Sequence, residues 1–356
     1  MIDMLRSQFT VDPRRVAWAL GIGAWLAWIE ISAVYAFAAL RLRPTDWLYD
    51  WSVYLAGARA LANRTLYRQP LHDVGLPMSA TEFKLPPFAA VPALPLAWLE
   101  PTVAGVIWAI LNLAAFAFAA WALVTLLDLR PRFIWAGVTL GFYAIYNVYP
   151  SIVVLGNINP LVLGLVAGFA WAHIQGRQRT AGVLLGLAIA IKLWPLALLL
   201  VIMRERRWTA LGWATGFLVL QAIVILAWLG PEVVGPLLWT TQADIRDSPF
   251  VSYVSWLDQT VSWWPAWGGV AVAAVLLLIR AHGRAGVGLG ILAGLAVVPN
   301  LWDHYQPTLF FGLLLLLADI RAYVVAWLRP AEELPADPAR GGALGGYRCG
   351  AVDRIP

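Results

Sequence analysis

From Val103 to Leu127 the chain carries no charged residue, and that run alone excludes most folds open to a soluble domain. A helix needs about 20 mostly apolar residues to cross a bilayer, and Val16 to Leu40 and Trp208 to Leu229 are long enough as well. The remaining composition agrees, with 61% of the 356 residues hydrophobic and 13% charged, where a soluble domain carries about a quarter charged. These runs predict an all-α integral membrane protein with about eight to twelve transmembrane or re-entrant helices. The first run is longer than a signal-peptide core and ends in Arg41-Leu42-Arg43 without a small-residue cleavage site, so it is expected to stay as a span.

Orientation follows from Lys and Arg, which gather in short cytoplasmic loops. The clusters are Arg6, Arg14 and Arg15; Arg130 and Arg132; Arg177 and Arg179; Arg204, Arg206 and Arg207; Arg280 and Arg284; and Arg329 and Arg340. Placing all of them inside predicts crossings near 16–40, 103–127, 133–150, 160–174, 209–229, 266–279, 286–298 and 307–328. Pro86 to Leu99 and Ala181 to Met203 do not fit this parity. Both contain proline and are expected to be re-entrant, the second turning near Lys192-Leu193-Trp194-Pro195. Two longer extracytoplasmic loops result, 41–84 and 230–265. The first carries Arg41, Arg43, Arg59, Arg64, Arg68 and Lys84 against the charge rule, which means either the reverse orientation or cations that serve an anionic partner such as a lipid phosphate. The net charge of +5 otherwise reads as loop charge and not as a nucleic-acid surface.

Several polar residues stand where chemistry is expected. Asp50 precedes an amphipathic stretch, Trp51, Tyr54, Leu55, Ala58 and Leu61, that predicts a helix on the outer surface. A carboxylate there suits a general base, and it equally suits a helix cap. Lys192 is the one charge within Ala181 to Met203, and an ionisable group inside a membrane segment points to function before snorkelling. Trp302, Asp303, His304 and Tyr305 crowd a short outer turn; the mixture suits a phosphate or sugar site, and its aromatics also suit an interfacial belt. Gly156-Asn157-Ile158-Asn159-Pro160 supplies two amides at a break between spans, which turn chemistry explains about as well as ligand binding does. Gln259 lies in the second outer loop, and Glu30, deep in the first span, has no assigned role. The four histidines and Cys349 are scattered without metal spacing, and no glycine-rich phosphate loop is present, so neither a metal nor a nucleotide cofactor is expected.

Taken in order, these features resemble the bacterial polyprenyl-phosphate-mannose-dependent alpha-mannosyltransferases of the GT-C superfamily. The likeness runs through Asp50-x-x-Val53-Tyr54, Leu66-Tyr67, Phe83-x-x-Pro86-Pro87-Phe88, Gly156-Asn157-Ile158-Asn159, Gly182 to Gly186 with Lys192 and Pro195, Asp258-Gln259, and Pro299-x-x-Trp302-Asp303-His304. It implies a GT-C-like bundle over residues 1–329, with 330–356 as a disordered cytoplasmic tail. It also implies inverting transfer of a sugar, mannose being expected, from a polyprenyl-phosphate donor to a hydroxyl of a lipid-linked or cell-envelope acceptor. The implied partners are that donor, a lipid or glycolipid acceptor and membrane lipid, with no nucleic acid. By position Asp50 would be the catalytic base, Lys192 and His304 would hold the donor phosphate, and Tyr54, Asn157, Asn159, Gln259, Trp302 and Asp303 would shape the sugar and acceptor site. Asn157, Asp258 and Tyr305 depart from the residues common in the family. The alternative is a transporter or flippase of lipid-linked saccharides, which would use the same cations and aromatics without a base.

Overall fold

A computed structural model of the chain describes residues 12–41, 49–68, 83, 85–145, 153, 155–235, 263–298 and 305–328. Within them lie α1 (Pro13–Arg41), α2 (Tyr49–Ala62), α3 (Pro101–Leu126), α4 (Arg132–Ile145), α5 (Asn159–Ile174) and α6 (Gln178–Ile191). They are followed by α7 (Leu198–Arg204), α8 (Trp208–Leu229), α9 (Trp263–Arg280), α10 (Gly283–Ala296) and α11 (Gln306–Leu328). Three 3₁₀ segments, Pro87–Leu96, Trp194–Ala197 and Pro231–Val233, interrupt the series, and no strand occurs among the described residues. Each expected crossing falls on a helix over its described residues, residues 146–150 of the third lying outside them. Arg14–Tyr35, Pro101–Leu126 and Trp208–Leu229 are long and apolar enough to span a membrane by themselves, and the other apolar helices are shorter. The chain is an all-α membrane protein.

Local chemistry sets the boundaries. Glu100 caps α3 by accepting from Val103 N at 3.0 Å, and Pro101 follows at the first helical position, where a missing N–H costs nothing. α8 stops at Gly230, whose φ of 89° takes the chain out of the helix before Pro231. Prolines at 87, 92 and 95 remove the donors an α-helix would need, so Pro87–Leu96 stays a short 3₁₀ segment packed against α2. α6 ends at Ile191 because Pro195 would clash with the Ile191 carbonyl four residues back, and Lys192 takes extended backbone at φ −142°.

The helices pack in pairs, α1 on α4, α3 on α5, α5 on α6, α6 on α8, and α10 on α11. Small residues permit these approaches, as lipid-embedded helices require. A methyl on Gly182 would collide with the Ala210 carbonyl of α8, and one on Gly288 would collide with the Gly312 carbonyl of α11.

Contacts between helix ends define the two ends of the bundle. At one, Arg284 donates to Leu126 O at 2.9 Å and Glu205 accepts from Gly283 N at 2.7 Å. Glu205 also lies 3.0 Å from His173 Nε2, beside the start of α6. The chain thus enters α6 and leaves α7 at the same end, a hairpin that turns at the segment holding Pro195. Its turn reaches the opposite end, where Asp50, Asn157, Lys192 and Tyr305 lie.

Candidate active site

Asp50 sits in the first turn of α2, where the helix dipole favours a negative charge. Its helix is buried on more than the one face the periodicity marks: Trp51, Tyr54, Leu55, Ala58 and Leu61 are covered, and so are Ala56 and Ala60. α2 is therefore wedged into the bundle and does not lie on its surface. Trp51 stacks on Trp108 of α3 and Tyr54 packs against it at a tilt, at 5.0 and 5.7 Å between ring centroids, contacts worth about 0.5–1.5 kcal/mol each beyond simple burial. Trp108 Nε1 donates to Gly156 O at 2.7 Å, tying α2, α3 and the loop before α5 into one block.

That loop holds the carboxylate. Gly156, at φ 65°, makes a turn that L side chains disfavour, and it presents Asn157, which is 3% exposed. Asn157 Oδ1 accepts from Asn159 N at 2.9 Å, and Nδ2 donates to Asp50 Oδ2 at 2.5 Å. The amide has only one workable orientation, because one neighbour is an N–H and the other a carboxylate. Tyr54 Oη accepts from Ile158 N at 3.4 Å, a second tie between α2 and the loop. The Asp50 carboxylate thus has its partner on a separate element, the Asn157 side chain.

Lys192 reaches the same end from the hairpin. It is 7% exposed, at the C-terminus of α6, and its Nζ donates to Tyr305 Oη at 3.1 Å while lying 4.6 Å from that ring's centroid. A cation suits a helix C-terminus. Burial raises the Asp50 pKa above its ordinary value, while the Asn157 hydrogen bond and the Lys192 charge pull it back down. The two groups are close enough for the Lys192 charge to act on the Asp50 carboxyl.

Of the residues the sequence singles out, Asp50, Tyr54, Asn157 and Lys192 converge, and Asn159 is buried at the start of α5 with both amide atoms lacking a protein partner. Gln259, Trp302, Asp303 and His304 lie outside the described residues. Sequence reasoning missed Trp108, whose only signal was an indole within an apolar run, and gave Tyr305 no contact with Lys192. It also left the outer-loop cations without a structural use. Arg59 donates to Ala97 O at 3.0 Å, and Arg64 stacks over Trp228 at 4.1 Å. Arg68 pairs with Glu232 and caps α8 through Leu229 O at 2.7 Å. These three fasten the fold; Arg43 and Lys84 lie outside the described residues. Among the described residues no three His, Cys, Asp or Glu side chains gather to hold a metal.

A half-buried carboxylate and a buried cation thus stand at one end of a membrane helix bundle. The model of glycosyltransferase family 87 matches residues 83–318, more than half of the chain, and the chain belongs to that family. It is similar to the polyprenol-phosphate-mannose-dependent alpha-(1-2)-phosphatidylinositol mannoside mannosyltransferase of Mycobacterium tuberculosis, 27% identical over 82% of this chain and 74% of the relative. It is also similar to the alpha-(1->3)-arabinofuranosyltransferase of Corynebacterium glutamicum, 23% identical over 89% of this chain and 78% of that protein. No solved structure matches.

Proposed function

We propose that this membrane glycosyltransferase moves a sugar, mannose, from a polyprenyl-phosphate carrier to a hydroxyl of a lipid-linked or cell-envelope acceptor, with inversion, at the extracytoplasmic face. The observation that carries the reading is the convergence of Asp50 and Lys192 from helices far apart in sequence, on the end of the bundle opposite the loops rich in arginine. The Asp50 carboxylate takes the proton from the acceptor hydroxyl as its oxygen attacks the anomeric carbon, and the phosphate leaves from the other face of the sugar. A single displacement of this kind inverts the centre. Lys192 meets the negative charge that grows on the departing phosphate, within a site already organised before reaction. Asn157 holds Asp50 in its charged form and orientation, and Tyr54 holds the loop that carries Asn157. His304, by its place beside Tyr305, is assigned to the phosphate as well, and Gln259, Trp302, Asp303 and Asn159 to the sugar and acceptor. The names of the two relatives support the donor class in the first case and, in the second, favour a pentofuranose as the alternative sugar.

The test is sugar transfer in reconstituted membranes from polyprenyl-phosphate mannose, and from the corresponding arabinofuranose donor, to extracted lipid acceptors. Asp50→Asn is expected to lower turnover by about 10²–10⁴-fold, the range for loss of a general base. Equal turnover in wild type and Asp50→Asn would remove Asp50 as the base. Transfer from neither donor would remove the proposed donor class.

A further inference from the structure

Asn112 of α3 is 6% exposed, and both its side-chain nitrogen and oxygen are buried without a protein partner. It lies one helical turn beyond Trp108, whose indole holds Gly156, and it lines a small cavity behind the loop that carries Asn157. Leu113, Phe116, Val153 and Pro160 give that cavity an apolar wall, and Gly156 gives it backbone. An amide left unpaired in such a place is destabilising, so its retention calls for a partner. The cavity has room for roughly one water-sized group. A group of that size that can donate to Oδ1 and accept from Nδ2 is a hydroxyl, either of water or of a substrate.

We infer that Asn112 binds a hydroxyl group in this cavity, bridging α3 to the Gly156–Pro160 loop, and that it is thereby a positioning residue for the Asn157–Asp50 pair. The inference rests on Asp50 acting as the base in the reaction proposed above. It is independent of which sugar is transferred. Gly156 and Pro160 both flank Asn157, so a bridge anchored on α3 restrains the hinge from which Asn157 reaches the carboxylate.

The experiment uses the full chain in lipid nanodiscs. Asn112→Leu keeps the shape of the side chain and removes both polar atoms. It is expected to lower kcat by roughly 10- to 100-fold, as small misplacements of catalytic groups do, with an upward move in the acid limb of the rate profile and faster amide exchange over 155–159. Asn112→Ala is read by the same measurements if the leucine variant does not fold. Asn112→Gln separates the two sources, since its longer side chain places an amide in the cavity itself. If the hydroxyl is water, the glutamine replaces it and kcat stays near wild type. If the hydroxyl belongs to a substrate, the KM for that substrate rises in the glutamine variant, and its deoxy analogue shows the same loss with wild type. Unchanged kcat, acid limb and loop exchange in a folded Asn112→Leu overturns the inference. Inactive wild type would count against the proposed reaction, while amide exchange alone would still decide whether Asn112 restrains the loop.

Discussion

Removing the Asn157 amide is the sharpest test of how this site controls its carboxylate. Asp50 lies outside the membrane-spanning helices, and burial raises its pKa while the Asn157 hydrogen bond opposes the rise. The bond is short, 2.5 Å from Nδ2 to Oδ2, and its donor is itself oriented by Asn159 N, so little competes for it. A hydrogen bond to a charged acceptor contributes about 1.5–3 kcal/mol, which in Asn157→Ala disfavours the ionised carboxylate by roughly tenfold to a hundredfold. The sign is fixed: losing a group that stabilises the charged form moves the pKa further up, and the base is competent only when deprotonated. The acid limb of kcat/KM therefore moves to higher pH, with the largest loss below the wild-type limb and a smaller one on the plateau. The assay is sugar transfer by nanodisc-embedded protein across pH, with the wild type and Asn157→Ser alongside; the serine hydroxyl is expected to restore part of the shift. A folded Asn157→Ala whose acid limb coincides with that of the wild type, or lies below it, would refute this account of the site.

Other perturbations have equally definite signs. Lys192→Met is expected to lower kcat/KM by about 10²–10³-fold, as loss of one preorganised stabilising group does, and also to raise the acid limb because the Lys192 charge lowers the Asp50 pKa. Ionising a carboxyl whose pKa is raised on folding costs stability as pH rises through that pKa, so Asp50→Asn should melt no lower than wild type at neutral pH by thermal scanning in detergent. Burial alone would raise the Glu205 pKa, but His173, Gly283 N–H and Arg207 together outweigh it and hold the carboxyl below its ordinary value. Its stabilisation is thus present above the usual carboxylate range and is lost as pH falls through the lowered pKa; Glu205→Gln should cost about 1–3 kcal/mol at neutral pH, with the gap from wild type closing in acid. Gly182→Ala should destabilise by about 1–3 kcal/mol through the clash with Ala210, while Gly212→Ala, where a methyl meets nothing within 4 Å, serves as the unperturbed control.

The helices were legible because lipid imposes length and the absence of charge, and both are properties of single runs. The proline breaks were legible for a similar reason, since Pro195 acts on a carbonyl only four residues away. The pairing of Asp50 with Asn157 was not legible, because nothing local distinguishes an asparagine that serves a turn from one that serves a carboxylate; here Asn157 does both with its two amide ends. The contacts of the arginines in 41–84 were not legible either. A charge count is blind to Arg64 lying on Trp228 or Arg68 capping α8, and treats fastened cations as free ones.

The hairpin of α6 and α7 explains how a cation can be held at the site without a crossing of its own. A simple span through Lys192 would leave an ionisable group at mid-bilayer, where it is costly. Ending α6 at Ile191 instead places Lys192 at a helix C-terminus, among the last unpaired carbonyls and beside the Tyr305 hydroxyl, while α7 carries the chain back to its starting end. The turn is locked from behind, since Gly294 of α10 packs so closely on Trp194 that a methyl there would strike its carbonyl. The same proline that breaks the helix therefore sets where the cation stands, and Tyr305, which receives it, comes from a part of the chain far away in sequence.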